Sequence, residues 1–489
     1  MSLAFPPEEA AATPAELWHG TATQRLVRQG LARAGQGVRS GIALVPLGLS
    51  AFMARAASAR AAGRTLDLMY YTWMEDVTGR LLAREALAAA DRGVRVRLLL
   101  DDSYALSGDA LLATLHAHRN VEVRLFNARR FRFLGQVGLA VEFALGGWHL
   151  NHRMHNKCWV ADGELAIVGG RNISDAYFDA AGDFNFRDLD LIIIGEAASQ
   201  AQAVFDGYWA SSLACPVSRF RAGRDLSDEA LARVRAVLEQ APTDQQAVPY
   251  LQELRNSRDS LEDMAFLAAD GAVRVLADPP AKAQGRGIDG CMGEALAEAL
   301  LDAQREALVV SPYFVPGEAG MAMFETLVRR GVKVTVVTNS LAATDVVAVH
   351  AGYARYRPRL LQLGVTLFEL KRTVKRSGGV FGSKGASLHT KAFAVDGEHA
   401  FVGSFNLDPR SARLNTEMGA FVRHAGLVGH IDAEHRRLTE PDRSYRVWLK
   451  GRKMLWTDDE TTTPHEPEAP LGRRMLARVV EWLPVEAQL

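Results

Sequence analysis

Hydrophobic and polar residues follow one another along this chain in two matching blocks, each of which predicts a strand, a helix and a second strand. The predicted strands are apolar or β-branched runs, and the helices show apolar side chains at helical spacing. The first block comprises residues 66–73, 79–92 and 94–100, and the second comprises residues 307–315, 320–330 and 332–338. Because strands that are apolar on both faces and alternate with helices are typical of helix-covered, largely parallel or mixed sheets, each block predicts an α/β sandwich.

The two blocks indicate a duplicated domain. The tripeptide Arg92-Gly93-Val94, between helix and second strand, recurs in the second block as Arg330-Gly331-Val332. We predict an N-terminal extension at residues 1–40, a first domain at 41–218, linker helices at 219–270, a second domain at 271–450 and a C-terminal tail at 451–489. Ser227 is expected to cap a linker helix that runs to Gln240.

Four segments outside the repeat allow more than one interpretation. Residues 24–39 form an amphipathic run that could lie on a surface or form a solvated helix packed on the domain. Residues 42–53 are shorter than the roughly 20 residues that cross a bilayer, and they are predicted to form a core helix rather than a membrane-inserted segment. Residues 457–470 are predicted to be mobile. The apolar, arginine-containing segment 475–483 is expected to dock on another surface, which the sequence does not identify.

Charge and cysteine content narrow the class of protein. The 489 residues include 57 Lys and Arg and 57 Asp and Glu, so the net charge is zero, which weakly disfavours a nonspecific nucleic-acid binder. The cysteines are Cys158, Cys215 and Cys291, an odd number without metal-ligand spacing. We therefore predict no disulfide framework, no metal site and a reducing, cytosolic setting.

One set of five residue types occurs twice at the same spacing. Each copy reads His-x-Lys, then four residues and Asp, six residues and Gly, and two residues and Asn. The first copy is His155, Lys157, Asp162, Gly169 and Asn172, and the second is His389, Lys391, Asp396, Gly403 and Asn406. A lone histidine would be interpreted as an ordinary surface or core residue, but composition alone does not produce this repeat, so it marks a functional site.

These side chains suit a reaction at a phosphoryl centre. The ammonium groups of Lys157 and Lys391 can neutralise nonbridging oxygens, while the Asn172 and Asn406 amides supply fixed hydrogen bonds. One motif histidine can attack phosphorus to form a phosphohistidine, and the other can protonate the departing alcohol and deprotonate the incoming one. Since four such donors converge, neither a metal nor another cofactor is expected.

The other motif residues are expected to shape the backbone. Asp162 and Asp396 each precede a glycine, which predicts a tight hairpin, and they are therefore assigned to the turn. The return strands end in Gly169 and in Gly403-Ser404, which brings each motif asparagine beside its histidine and lysine. Because alternate side chains of a strand share a face, each histidine is predicted to lie on one face of the motif strand with its lysine.

A carboxylate is needed to fix the tautomer of a nucleophilic histidine. Asp188, downstream of the first motif, and Glu417, downstream of the second, are the candidates, and both could instead be ordinary surface acids. Cys158 alternates away from His155 and is predicted to pack in the core.

The doubled motif resembles the signature of the phospholipase D superfamily. Residues 169–173, 177–178, 186–188, 403–411, 415–417 and the 483–489 ending resemble its cardiolipin synthase branch. The resemblance covers about residues 60–450, and it is closest to bacterial members that lack paired N-terminal transmembrane helices. It implies two phospholipase D-like α/β sandwich domains with mixed sheets, related by a pseudo-twofold axis, with the active site at their interface.

The resemblance also implies roles for the two histidines. His155 would be the nucleophile and His389 the general acid and base, although the residues themselves leave the reverse assignment open. One departure is Gly170, which stands where the second motif has Ser404, so the first copy lacks a hydroxyl donor and the two copies are chemically unequal.

The activity implied is that of a membrane-surface phosphatidyltransferase making cardiolipin. It would transfer a phosphatidyl group from a donor phospholipid, such as phosphatidylglycerol or phosphatidylethanolamine, to phosphatidylglycerol, at the inner face of the cell membrane. The alternative enzymes are a phospholipase D-type hydrolase and, less favoured, a nuclease. An alternative of a different class is a noncatalytic membrane scaffold. Residues 131–148, which are apolar, and 371–384, which are basic, are candidates to contact lipid, with a buried helix and a solvated loop as the alternatives. No nucleic acid is expected, and no protein partner can be named.

Overall fold

Two sheets of closely similar topology form the framework of the computed structural model. The structure describes residues 20–102, 109–129, 148–220, 226–257, 259–287, 291–372 and 385–482. Most of the two segments expected to contact lipid, residues 131–147 and 373–384, lies outside the described residues.

The first half contains the following elements. Its strands are β1 (Ser40–Val45), β2 (Thr65–Tyr70), β3 (Arg95–Asp101), β4 (Val121–Phe126), β5 (Cys158–Ala161), β6 (Leu165–Gly169), β7 (Asn185–Arg187), β8 (Asp190–Gly195), β9 (Ala214–Pro216) and β10 (Leu267–Ala268). Its helices are α1 (Ala22–Ala34), α2 (Gly48–Ala61), α3 (Val77–Asp91), α4 (Asp109–Thr114) and α5 (Ala198–Trp209). The connecting helices α6 (Asp228–Gln240) and α7 (Ala247–Asn256) follow, and Ser227 caps α6 by accepting a hydrogen bond from the Ala230 amide, as predicted.

The second half repeats the plan. Its strands are β11 (Val273–Ala277), β12 (Glu306–Val310), β13 (Lys333–Asn339), β14 (Thr366–Leu370), β15 (Ala386–Leu388), β16 (Ala392–Val395), β17 (His399–Gly403), β18 (Met418–Arg423), β19 (Ser444–Lys450), β20 (Lys453–Thr457) and β21 (Thr462–Thr463). Its helices are α8 (Met292–Leu301), α9 (Gly317–Arg329), α10 (Val347–Leu363), α11 (Pro409–Arg413), α12 (Ala425–Thr439) and α13 (Leu471–Glu481).

Each sheet combines a parallel centre with antiparallel flanks. The first sheet has the strand order β10-β1-β8-β6-β5-β2-β3-β4-β9, and the second has β11-β18-β17-β16-β12-β13-β14-β19-β20-β21. The parallel neighbours are β2-β3-β4 in one and β12-β13-β14 in the other. In both, the hairpin that follows the motif lies beside the parallel set, so the predicted mixed-sheet, duplicated α/β fold is confirmed.

A shared core lies between the two sheets and joins the halves. It contains Val160 and Val168 of the first hairpin and Ala394 and Val402 of the second, all essentially buried. Helices α5 and α12 contribute to the same core, whereas separate apolar clusters pack the remaining helices on the outer faces. Because the hairpins of both halves meet in one core, the ends of those hairpins are brought close together.

Residues 42–53 do not form the single core helix that was predicted. Strand β1 ends at Val45, and α2 begins at Gly48. Pro46 separates the two elements, because it lacks an amide hydrogen and cannot continue the ladder with β8. The Arg171 guanidinium binds the carbonyl oxygens of Val45 and Pro46, which stabilises this corner.

The two ends of the described chain are packed on the domains. Helix α1 begins with a capping box at Thr21 and buries Leu26 and Val27, so it is the domain-packed helix of the two alternatives. Residues 457–470, which were predicted to be mobile, make a specific contact with the domain. Glu466 forms an ion pair of 2.6 Å with the buried Arg357, and a charge pair shielded from water holds that segment on α10.

Candidate active site

The motif histidines and lysines lie immediately before the motif strands rather than within them. Strand β5 begins at Cys158 and β16 begins at Ala392. The amide of His155 donates to the Thr416 carbonyl at 2.8 Å, and that of His389 donates to the Arg187 carbonyl at 2.7 Å. Each histidine is therefore bonded through its backbone to the opposite half, and it precedes the regular part of its own motif strand.

Both motif hairpins turn at the predicted Asp-Gly pairs. Asp162 and Gly163 have φ values of 53° and 72°, and Asp396 and Gly397 have φ values of 53° and 75°, as a two-residue turn of type I′ requires. The Asp162 carboxylate accepts hydrogen bonds from the amides of residues 63–65, and that of Asp396 accepts them from residues 304–306. Each carboxylate therefore ties its turn to the start of the neighbouring parallel strand, away from the histidines.

Each motif histidine is held by a carboxylate from the other half of the chain. His155 Nδ1 lies 2.9 Å from Glu417 Oε2, and His389 Nδ1 lies 2.6 Å from Asp188 Oδ2. Both carboxylates are fully buried, unlike ordinary surface acids. A carboxylate at Nδ1 fixes the tautomer in which Nε2 carries the lone pair, so each ring can present Nε2 to a ligand.

Short parallel pairings between the halves produce this crossed arrangement. Strand β15, which leads into His389, pairs with β7, which leads into Asp188. Met154, before His155, forms a parallel bridge with Thr416, before Glu417. In both places the histidine of one half and the carboxylate of the other directly follow residues that are paired in parallel, so the two side chains lie next to each other.

The two carboxylates are supported by different donors. Glu417 accepts hydrogen bonds from the hydroxyl groups of Ser404, at 2.5 Å, and Ser411, at 3.0 Å. At the equivalent position of the first half, a Cβ on Gly170 would lie 2.3 Å from Asp188 Oδ1, closer than real Cβ contacts. Glycine is therefore required where the Asp188 carboxylate lies against the backbone, which accounts for the departure from Ser404 in the sequence.

The lysines and asparagines of the motifs lie in the same buried site. Lys157 Nζ donates to the His155 carbonyl at 2.7 Å, and Lys391 Nζ lies 2.8 Å from His389 Nδ1. Asn172 accepts from the Thr72 amide, whereas Asn406 Oδ1 is buried with no hydrogen-bond partner among the described residues. Asn406 Oδ1 can therefore accept a hydrogen bond from a ligand hydroxyl group.

Aromatic residues that the sequence did not assign to the site pack against both imidazoles. Tyr71 makes an edge contact with His155 at 5.1 Å between ring centroids, and Phe186 packs on His389 at 5.0 Å. The Tyr177 hydroxyl lies 3.3 Å from His389 Nε2 and accepts from Asn172 Nδ2 at 3.0 Å. Tyr71 follows strand β2 directly, and its position at a strand end was the signal that could have indicated it.

Burial and neighbouring charge shift the pKa values of the motif histidines, the motif lysines and the two carboxylates. Burial, followed by the charges of the two motif lysines, holds the pKa values of His155 and His389 well below the usual range. Burial lowers the pKa of Lys391 to about 8 and raises the pKa of Glu417 to about 7. Since both imidazoles are neutral at neutral pH while the lysines attract anions, the site suits an anionic ligand and a neutral nucleophile.

His155 and His389 belong to one site. The Tyr177 hydroxyl joins the two motifs, because it accepts from Asn172 of the first motif and lies 3.3 Å from Nε2 of His389 in the second. Consistent with this, and in addition to burial, Lys157 and Lys391 both lower the pKa of each ring. Within the described ranges, no group of three or more His, Cys, Asp or Glu side chains is arranged to hold a metal ion.

The duplicated fold and the doubled His-Lys motif at one interface define a two-domain member of the phospholipase D superfamily. The profile of the family described as "Cardiolipin synthase, PLD-like domain" matches residues 56–209 and 296–439. Cardiolipin synthase C of Escherichia coli K12 is 39% identical over 451 residues, which cover 90% of this chain and 94% of that protein. The cardiolipin synthase of Geobacillus kaustophilus is 28% identical over 74% of this chain and 59% of its own length.

Phosphatidylserine synthase of Haemophilus influenzae shares the fold, with a TM-score of 0.60 over 96% of this chain and all of that protein, at 15% identity. The chain belongs to the cardiolipin synthase, phospholipase D-like family, and it is an enzyme of the phosphatidyltransferase and phosphodiesterase class. No helix of the described residues has the length and apolar character needed to cross a bilayer.

Proposed function

We propose that this protein is a cardiolipin synthase that transfers a phosphatidyl group between phospholipids through a phosphohistidine. The observation that carries the proposal is the pair of buried imidazoles, each held at Nδ1 by a carboxylate, with a lysine beside each and one shared electrostatic environment. The 39% identity to a cardiolipin synthase over nearly the whole chain supports a lipid as the substrate.

The first step forms a covalent intermediate on His155. The neutral Nε2 attacks phosphorus, the bond from phosphorus to the donor alcohol breaks, and the departing oxygen takes the bonding electrons and a proton from His389. The His155 Nδ1–H remains bonded to Glu417, which stabilises the positive charge that the ring gains. The second step is the reverse, with the hydroxyl group of phosphatidylglycerol giving its proton to His389 before it attacks phosphorus.

The assignment of His389 as acid and base is supported by its contact with Tyr177. Its Nε2 lies within hydrogen-bond distance of the Tyr177 hydroxyl, a geometry suited to a ring nitrogen that exchanges a proton rather than attacks phosphorus. An arriving phosphodiester adds negative charge between Lys157 and Lys391, which opposes their effect on the pKa of His389 and favours its protonated form. The acid is thus generated when substrate binds.

Stabilisation of the transferring phosphoryl group is assigned to four side chains. Lys157 and Lys391 are buried beside the two rings, and Asn172 and Asn406 lie at the ends of the motif hairpins. Burial lowers the pKa of both lysines, and the negative charge of a bound phosphodiester favours their charged ammonium forms. Groups held in place by packing stabilise developing charge without reorganisation, which is the main source of catalysis at phosphoryl centres.

The proposed setting is the inner face of the cell membrane, with the protein bound peripherally. The phospholipid substrate requires access to a bilayer surface, and the three cysteines are all unpaired, which favours a reducing compartment. Phosphatidylglycerol is the proposed acceptor, and phosphatidylglycerol or phosphatidylethanolamine the donor.

Product analysis tests the proposal. Purified protein is incubated with vesicles of phosphatidylglycerol, alone or with phosphatidylethanolamine, and the lipids are identified by mass. We expect cardiolipin with release of glycerol or ethanolamine, and no product with His155→Asn. Phosphatidic acid as the main product would identify the hydrolase alternative instead, because water would then be the acceptor. His389→Asn is expected to accumulate a phosphatidyl adduct on His155, detectable by intact-protein mass, and an adduct that forms on His155→Asn protein would reverse the two roles.

A further inference from the structure

Helix α13 at the C-terminal end of the described chain exposes its apolar face. The exposed fractions are 72% for Leu471, 59% for Met475, 61% for Val479 and 89% for Trp482. These residues follow one another at intervals of three or four, so they form one stripe along the helix, and Leu476 widens it. An ordinary surface helix buries its apolar stripe, and α13 does the opposite.

The opposite face of α13 is anchored by small and polar contacts. Ala477 is buried against Leu341 and Ala342, and the Arg473 guanidinium donates to the carbonyl oxygens of Leu341, at 2.7 Å, and Thr344. Helix α13 also packs along α10. The orientation is therefore held by specific bonds, and the apolar stripe is displayed outward by a fixed helix.

The anchor of α13 adjoins the active site. Arg473 binds the loop that contains Leu341 and Thr344. Asn339, at the start of that loop, donates to the carbonyl oxygen of Leu388 and accepts from its amide, both at 2.9 Å, and Leu388 directly precedes His389. The apolar stripe consequently lies on the part of the surface that is joined, through one short loop, to the catalytic groups.

We propose that the exposed face of α13 inserts into the surface of a bilayer that contains anionic phospholipid and holds the active site against it. This inference rests on the proposed function for the presence of lipid at the site. The helix has 11 residues, about 16 Å, which is too short to span a bilayer but suits a helix lying in the interface. Trp482 at its end is the residue type preferred at the boundary between headgroups and acyl chains.

Charge favours a bilayer over a second protein copy as the occupant. Arg474 and Arg478 follow Leu471 and Met475 by three residues each, so they border the apolar stripe along one side. Anionic headgroups would neutralise this row, whereas a second copy of α13 would add two more arginines to the same contact.

Vesicle flotation tests the proposal, with the full chain and vesicles of phosphatidylcholine with or without phosphatidylglycerol. The triple variant Met475→Ser/Val479→Ser/Trp482→Ser should bind anionic vesicles about a hundredfold more weakly, since each apolar side chain then loses its transfer into the bilayer. The variant Arg474→Gln/Arg478→Gln should lose about 30-fold, and only with phosphatidylglycerol present. Val237→Ser/Val248→Ser, which changes exposed valines on α6 and α7, is the matched control and should bind normally.

Activity on two forms of substrate separates this proposal from the proposed function. The triple variant should lose turnover of vesicle lipid but retain turnover of a short-chain, monomeric phosphatidylglycerol. Wild-type protein that binds vesicles through α13 but converts neither substrate would refute the proposed function and still support membrane binding by α13. Triple-variant protein that floats with vesicles like the wild type would overturn the proposal, and so would a wild-type dimer that the triple variant abolishes without any change in vesicle binding.

Discussion

Replacing Ser404 with alanine removes a hydroxyl group that supports only one of the two histidine–carboxylate pairs. The Ser404 hydroxyl donates to Glu417 Oε2 at 2.5 Å and accepts from the Met418 amide at 3.0 Å, and the side chain is fully buried. The substitution fits the available space because alanine is smaller. Ser411 remains as a donor to the other oxygen of Glu417, so the hydrogen-bond support of the carboxylate is reduced rather than lost.

The size and sign of the effect follow from the loss of one donor to a buried anion. A hydrogen bond to a charged group is worth about 1.5–3 kcal/mol, which corresponds to about one to two pKa units. Because the hydroxyl stabilises the ionised form, its removal raises the pKa of Glu417 above the value of about 7 that burial already imposes. At neutral pH more of Glu417 is then protonated, and His155 loses the anion that holds Nδ1–H.

The assay is the pH dependence of kcat/KM with a monomeric phospholipid. We expect the acidic limb, where activity rises as Glu417 ionises, to move to higher pH by about one to two units in Ser404→Ala, with little change in activity at alkaline pH. Ser444→Ala is the matched control, because Ser444 is equally buried and its hydroxyl donates to the Leu438 carbonyl, away from the site. An acidic limb that stays in place, or moves to lower pH, would refute the assignment of Glu417 as the carboxylate that governs His155.

Two further predictions concern close packing and the C-terminal segment. Gly170→Ala should reduce kcat about a hundredfold, because a Cβ 2.3 Å from Asp188 Oδ1 must displace that carboxylate. Gly182→Ala is the control, because a Cβ at Gly182 would meet nothing within 4 Å. Equal kcat values for the two variants would contradict the packing argument. Glu466→Gln should lower the free energy of unfolding in urea by about 2 kcal/mol and expose residues 457–470 to limited proteolysis, since Arg357 then loses one of its two carboxylate partners and keeps Glu369. Unchanged stability and cleavage would show that this ion pair does not hold the segment.

Much of the fold and the chemical character of the site could be predicted from the sequence because both are encoded locally. The strand–helix–strand blocks and the repeated motif depend on residues near one another in the chain, and the Asp-Gly turns have a specific backbone requirement that the structure shows at Asp162 and Asp396. Burial of Cys158 in the core was likewise predictable from its position beside a motif lysine.

Features that depend on contacts between distant segments were not predictable. The partner of each histidine is set by the bridges between β7 and β15 and between Met154 and Thr416, and no spacing in the chain encodes them. Residues 42–53 are uniformly apolar, so periodicity could not separate a strand from a helix, and only Pro46 marked the boundary. The apolar segment 475–483 was expected to dock, but the sequence could not show that the apolar face of α13 is exposed, because an amphipathic pattern does not say which face is buried.

The crossed carboxylates tie the evolution of the two repeats together. Asp188 holds the ring of the second repeat and Glu417 holds the ring of the first, so under the proposed function each repeat depends on the acid of the other. After such a duplication, neither repeat can become purely structural while the other carries out the chemistry alone. The glycine of one repeat and the serine of the other differ in how they support the acid, whereas the crossed pairing of acid and histidine is the same in both.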